Sequence, residues 1–209
     1  MYFEENLTYH IYNQGNNRQR VFFEPRNYIY FIGKMREHVL PHGDILCYCL
    51  MPNHFHILIH INHVEIEVNN SVNSESQSDG VITNHPVTDT TTTKLRSLND
   101  NIAIMLRSYT RAINKQEKRT GSLFRQETKA QNGIIEGFIT VDGKHKDLFF
   151  GADNDHVSHC FNYIHQNPVK AQLVKNAEDW QYSSAPDYAG LRNGTLCNQQ
   201  LAKKMGLII

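Results

Sequence analysis

Apolar and polar residues alternate along Leu7–Gln14, with Tyr9, Ile11 and Asn13 on one side, the two-residue period of a strand covered on one face. The period lengthens after Pro25. Tyr28, Phe31, Ile32, Met35 and Val39 recur at helical spacing, Pro25 suits a first helical turn, and Pro41-His42-Gly43 stops the run. Asp44–Met51 and His54–Ile61 then read as two strands joined at Pro52-Asn53. A second helix is predicted from Lys94 to Lys118, with Leu95, Leu98, Ile102, Met105, Leu106, Tyr109 and Ile113 as its apolar stripe, and Phe124–Gln131 reads as a closing strand. The order β-α-β-β-α-β predicts an α+β, ferredoxin-like fold: an antiparallel sheet with two helices on one face and the other face open. An additional helix over His156–Gln166 follows, then another over Pro168–Lys175 with Asn167 as its N-cap.

Two stretches interrupt this pattern. Residues 64–93 are rich in Asn, Ser and Thr and lose periodicity after Val68, so they read as a mobile acidic insertion. Residues 132–155 contain Gly133, Gly137, Gly143 and Gly151 and read as a second insertion, with a small hairpin around Asp142-Gly143. The 209 residues otherwise fit one domain, and 40% hydrophobic with 20% charged residues excludes a collagen-like or wholly disordered chain. No apolar run reaches the roughly 18 residues a membrane span needs. The opening MYFEENLTYH lacks the basic-then-apolar pattern of a signal peptide, so a cytoplasmic protein is expected. Cys47, Cys49, Cys160 and Cys197 are too few for a disulfide framework and are expected as thiols.

Charge changes the picture only when it is localised. Lys plus Arg and Asp plus Glu both total 21, yet residues 64–93 hold five acids and no Lys or Arg, leaving 21 bases against 16 acids elsewhere. Residues 94–131 alone carry nine bases against Asp100, Glu117 and Glu127. Such a run suits either a solvated helix face or contacts to a polyanion's phosphates.

The candidate chemistry sits at two places. His54 and His56 alternate on one strand, so both imidazoles share a face with their Cα atoms roughly 7 Å apart, able to converge on a divalent cation. A zinc quartet adding Cys47 and Cys49 fits poorly, because Cys-x-Cys along a strand is not the usual ligand spacing. Far along the chain, Tyr163 precedes Asn167 by one helical turn, although Pro168 loosens that turn. A helical tyrosine is ordinarily a packing residue, so Tyr163 gains interest only from its company.

Met51-Pro52-Asn53-His54-Phe55-His56 together with Tyr163-Ile164-His165-Gln166-Asn167-Pro168-Val169-Lys170-Ala171 resembles the single-tyrosine HUH transposases of insertion sequences, most nearly the REP-associated tyrosine transposases. Gly15-Asn16-Asn17-Arg18-Gln19-Arg20-Val21-Phe22, Gly121-Ser122-Leu123-Phe124-Arg125 and Trp180-Gln181-Tyr182-Ser183-Ser184 look similar to the same branch. The resemblance implies a metal-dependent enzyme that cleaves and rejoins single-stranded, hairpin-associated DNA. It implies Tyr163 as nucleophile, forming a 5′-phosphotyrosine, and His54, His56 and Asn167 as ligands of Mg2+ or Mn2+. Close relatives commonly carry Gln where Asn167 stands. Arg18, Arg20, Arg107, Arg111, Lys115, Arg119, Arg125 and Lys129 are the expected DNA contacts. A homodimer that shares its tyrosine helices, and nucleoid association when DNA is bound, also belong to the resemblance. The alternatives are a hairpin-DNA-binding regulator without turnover on the same fold, and a phosphodiesterase that uses water with Tyr163 merely structural.

Overall fold

The computed structural model describes residues 1–70, 92–132, 138–141, 144–147 and 155–208. In chain order its elements are β1 (Thr8–Gln14), α1 (Pro25–His38), β2 (Gly43–Met51), β3 (His54–Ile61), β4 (Glu65–Asn70), β5 (Thr92–Ser97), α2 (Leu98–Gln116), β6 (Lys129–Asn132), β7 (Phe138–Val141), β8 (Lys144–Asp147), α3 (Asp155–Lys170), α4 (Ala185–Tyr188) and α5 (Gln199–Lys204). β2, β3, β1 and β6 form one antiparallel sheet in that spatial order, the ferredoxin-like arrangement expected.

Local chemistry sets the two helices on the first face. Pro25 occupies the first turn of α1, where the Asn27 side-chain oxygen accepts from the Phe23 and Glu24 N–H groups; Ser97 and Asp100 close a reciprocal cap on α2. Tyr28, Phe31 and Met35 of α1 and Ile102, Met105, Tyr109 and Ile113 of α2 bury against Tyr9, Ile11, Phe55, Ile57 and Ile59 of the sheet. Each side chain so buried stabilises the fold by about 2 kcal/mol.

The structure corrects four expectations. First, α2 starts at Leu98 rather than Lys94: Thr92–Ser97 is a strand paired with Glu65–Asn70, and Leu95 is 58% exposed instead of joining the stripe. β-branched threonines favour the extended chain, and the Ser97 cap fixes where the helix begins. The ends of the expected 64–93 insertion are therefore ordered pairing partners, while 71–91 lie outside the described residues.

Second, the closing strand is Lys129–Asn132; Phe124 meets Gly15 in an isolated bridge and turns its ring into the core. Third, α3 runs unbroken through Asn167 and Pro168. It ends at Lys170 in a Schellman turn, with Gln172 at φ 56° and Leu173 N–H donating to the Pro168 carbonyl. Asn167 is thus inside a helix and caps nothing. Of the second expected insertion, β7 and β8 pair as the hairpin expected around Asp142-Gly143, whose two turn residues lie outside the described residues, as do 133–137 and 148–154.

Fourth, the sheet's second face is not open. α3 lies over β2 and β3, and Cys160, Phe161 and Ile164 pack on Leu46, Cys47, Cys49, Met51 and Leu58. The four cysteines are free thiols; Cys47, Cys49 and Cys160 lie in this second core, where burial raises each well above its ordinary pKa.

The segment Trp180–Ser184 fastens α3 to the edge of the sheet. Leu50 N–H donates to the Tyr182 carbonyl, Ser184 N–H to the Tyr48 carbonyl, and the Trp180 indole N–H to the Leu50 carbonyl. The Ser184 hydroxyl accepts from Tyr48 N–H at 3.0 Å and lies 2.7 Å from His165 Nε2 on α3. Tyr182 stacks on Tyr28 of α1 with ring centres 3.7 Å apart, so one short segment grips both layers. No helix among the described residues is long and apolar enough to cross a membrane.

Candidate active site

Strand register assembles one side of the site. His54 lies opposite Gln14, His56 opposite Tyr12, and Leu58 opposite His10, so His10, Tyr12, His54 and His56 share the face under α3. His56 is only 5% exposed, and its ring centre is 4.9 Å from that of His54 at a plane angle of 87°. α3 supplies the other side. Tyr163, half-buried, stands edge-on to His56 with ring centres 5.7 Å apart and to His10 at 6.2 Å. Lys170 Nζ lies 4.9 Å from the Tyr163 ring centre, two helical turns along.

Asn167 links the two sides. Its Nδ2 donates to the Tyr163 carbonyl at 2.9 Å, and its side chain is near enough to the His54 ring to raise that ring's pKa and to the Tyr163 phenol to lower that of the phenol. The pair Tyr163 and Asn167 and the pair His54 and His56, more than a hundred residues apart in sequence, therefore converge within a single chain.

The proton positions follow from the partners. Asn53 Oδ1 can only accept, so His54 Nδ1 carries a hydrogen and donates to it at 2.6 Å, which leaves Nε2 bare. His56 Nδ1 lies 2.9 Å from His10 Nε2, while His56 Nε2 is buried with no hydrogen-bond partner. Burial pulls His54 down to about 4, against the opposing Asn167 contact, and pulls His10 down to about 3, with His156 adding to the effect. His56 is likewise held well below its ordinary value, by burial first and then by the neighbouring His54 and His10.

All three rings are therefore neutral at pH 7, the form in which imidazole binds metal. An unpartnered buried nitrogen beside a second bare one, with an amide one contact away, suits a divalent cation. Among the described residues no group of three or more His, Cys, Asp or Glu side chains is placed to hold a metal. A cation here would take two imidazoles, the Asn167 amide and oxygens from water or substrate. Burial raises the Tyr163 phenol, with Asn167 opposing, so the hydroxyl is protonated at neutral pH.

The basic residues divide into two groups. Gly15 N–H donates to the Asn53 carbonyl and Val21 N–H to the Pro52 carbonyl, pinning the intervening loop to the turn before His54 and leaving Arg18 and Arg20 exposed beside it. Asn17 and Arg18 take left-handed backbone, and a Cβ on Gly15 would sit 2.3 Å from the Gln19 carbonyl oxygen, so this loop tolerates little variation. Arg125 N–H donates to the Gln14 carbonyl, which places Arg125 at the same end, and Lys129 lies opposite Tyr12. Arg107, Arg111 and Lys115 are exposed on α2, across the sheet from α3, and Arg119 follows the end of that helix.

Three contributors escape a motif-by-motif reading of the sequence: His10, Asn53 and Ser184. His10 carried a legible signal, because it alternates with Tyr9 and Ile11 and so faces away from the first core. Asn53 and Ser184 act through atoms that only the fold brings together.

No protein-family model and no curated protein matches the sequence. A solved structure described as a REP-associated tyrosine transposase bound to a REP hairpin does match, over 95% of this chain and 94% of that one, with a TM-score of 0.52 and 13% identity. The two chains share a fold.

Proposed function

We propose that the protein is a transposase-like DNA strand transferase, cleaving and rejoining single-stranded, hairpin-associated DNA through a covalent link to Tyr163. The observation that carries this reading is the convergence of Tyr163, Asn167, His54 and His56 in one partly buried cluster. Its support is threefold: the geometry, the sequence motifs, and a shared fold with a transposase described as bound to a REP hairpin.

In this reading His54, His56 and Asn167 would hold Mg2+ or Mn2+, and the bound ion would supply positive charge beside the scissile phosphate. Tyr163 loses its proton as its hydroxyl oxygen attacks phosphorus; a P–O bond to Tyr163 forms, the P–O3′ bond breaks, and the released 3′ oxygen takes up a proton. One phosphodiester-type bond is exchanged for another, so the strand can be rejoined by the reverse attack without an external energy source. Lys170 Nζ stands over the Tyr163 ring, a cation–π contact that helps fix the ring's orientation. In this reading the phosphates flanking the cleaved bond run past the Arg18–Arg20 loop and Arg125, a path supported by their position at the end of the sheet where His54 begins.

The test incubates the protein with labelled single-stranded DNA hairpins and Mg2+ or Mn2+ and separates the products on a denaturing gel. The expected result is a covalent adduct that Tyr163→Phe abolishes, since Phe keeps the ring and deletes the hydroxyl. Cleavage that persists in Tyr163→Phe would favour water as nucleophile, and tight binding without any adduct would favour a regulator; either overturns the proposal.

A further inference from the structure

His56 and His10 form a two-ring relay buried beneath α3. Their facing nitrogens, His56 Nδ1 and His10 Nε2, are 2.9 Å apart, and the outer nitrogen at each end, His56 Nε2 and His10 Nδ1, is buried without a hydrogen-bond partner. One proton must sit between the rings, and two arrangements are available. If His10 Nε2 donates, the remaining hydrogen of His56 falls on Nε2 and closes that nitrogen to a cation. If His56 Nδ1 donates, Nε2 carries the lone pair, on a ring whose centre is 4.9 Å from that of His54 and 5.7 Å from that of Tyr163.

His54 shows the second arrangement already built, with its Nδ1 hydrogen given to Asn53 Oδ1. The two rings also differ in how they are held. Asn53 sits in the exposed turn and gives its own Nδ2 to the Arg18 carbonyl at 3.3 Å, whereas His10 is 4% exposed within a central strand.

We infer that His10 is a positioning residue: it accepts the His56 Nδ1 hydrogen, and so holds His56 Nε2 open as a ligand in the way Asn53 does for His54. The inference rests on the metal reading above but not on the tyrosine chemistry. Partners of this kind are typically worth 10–100-fold in metal affinity.

The test measures Mn2+ binding from the signal of free Mn2+ in electron paramagnetic resonance, for wild type, His10→Phe and His10→Gln. Phe keeps a ring and removes both nitrogens; Gln places an amide oxygen where Nε2 was. The expected result is an affinity about 10–100-fold weaker in His10→Phe and restored to within about threefold in His10→Gln. Nitrogen-15 spectra of histidine-labelled wild type with Mg2+ should show the His56 hydrogen on Nδ1.

Mn2+ binding in His10→Phe equal to wild type, or a His56 hydrogen on Nε2 in the Mg2+ form, overturns the inference and leaves the strand-transfer reading standing. If His10→Phe proves unfolded by circular dichroism, the wild-type spectrum decides alone. Failure of wild type to bind Mn2+ at millimolar concentration overturns the inference together with the metal reading. A missing DNA adduct with the His10 effect intact overturns only the tyrosine chemistry.

Discussion

Neutral imidazoles packed under a helix leave a thermodynamic trace. Burial lowers His10 to about 3, and lowers His54 and His165 to about 4, while an unfolded chain's histidines stay near 6.5. Between those values the unfolded state binds more protons than the folded one. Stability is therefore full above about pH 6.5 and is lost as pH falls toward 4, by about 1.4 kcal/mol per pH unit for each such histidine. Urea unfolding of the metal-free protein at a series of pH values should show this decline, with a shallower slope in His10→Phe. A profile flat from pH 7 to 5 would mean these rings are hydrated rather than buried.

At the scale of elements, the position of Tyr163 depends on how α3 is docked. Ser184 Oγ receives Tyr48 N–H and contacts His165, both buried. Ser184→Ala leaves those two groups unpaired and should cost about 1–3 kcal/mol in chemical denaturation. A loss below about 0.5 kcal/mol would show that α3 is held by its apolar contacts alone.

The elements themselves were mostly legible. Two-residue and helical periods gave β1, α1, the β2–β3 hairpin and the heart of α2, because each buries one face against a neighbour. Three features were not. β4 alternates only over Glu65-Ile66-Glu67-Val68 before Asn69-Asn70, and β5 opens on Thr92-Thr93, too short a pattern to mark a pair that its mutual hydrogen bonds define. Pro168 marks a helix break in sequence, yet it falls within three residues of the end of α3, where one lost N–H costs little. The covering of the second sheet face was hidden because Cys47, Cys49, Met51 and Leu58 alternate with residues that are equally apolar. Within the site, His54, His56, Tyr163 and Asn167 were found from spacing and resemblance, while His10 and Asn53 needed atoms in space.

For the whole molecule, the sheet is a partition. Tyr163 and the histidines lie on one side, and Arg107, Arg111 and Lys115 project from α2 on the other; Arg18, Arg20 and Arg125 gather at the end of the sheet where His54 begins. Under the proposed function, a short single strand reaching Tyr163 would meet this end before it met α2. Its affinity should fall linearly with log salt, and Arg18→Gln with Arg20→Gln should reduce that slope by about two. Replacing Arg107, Arg111 and Lys115 with Gln should leave the slope unchanged for the short strand. Fluorescence anisotropy across salt concentrations measures both, and the reverse ranking would reassign the strand's path to α2.

Asn70 and Thr92 face one another as the last pair of β4 and β5. Whatever joins them leaves and re-enters the framework at adjacent points, and lengthening such a closed connection costs only slowly rising entropy. The junction is thus a natural splice point: a fluorescent reporter or an affinity handle grafted there, in place of residues 71–91, would ride outside the partition without pulling on either of its sides.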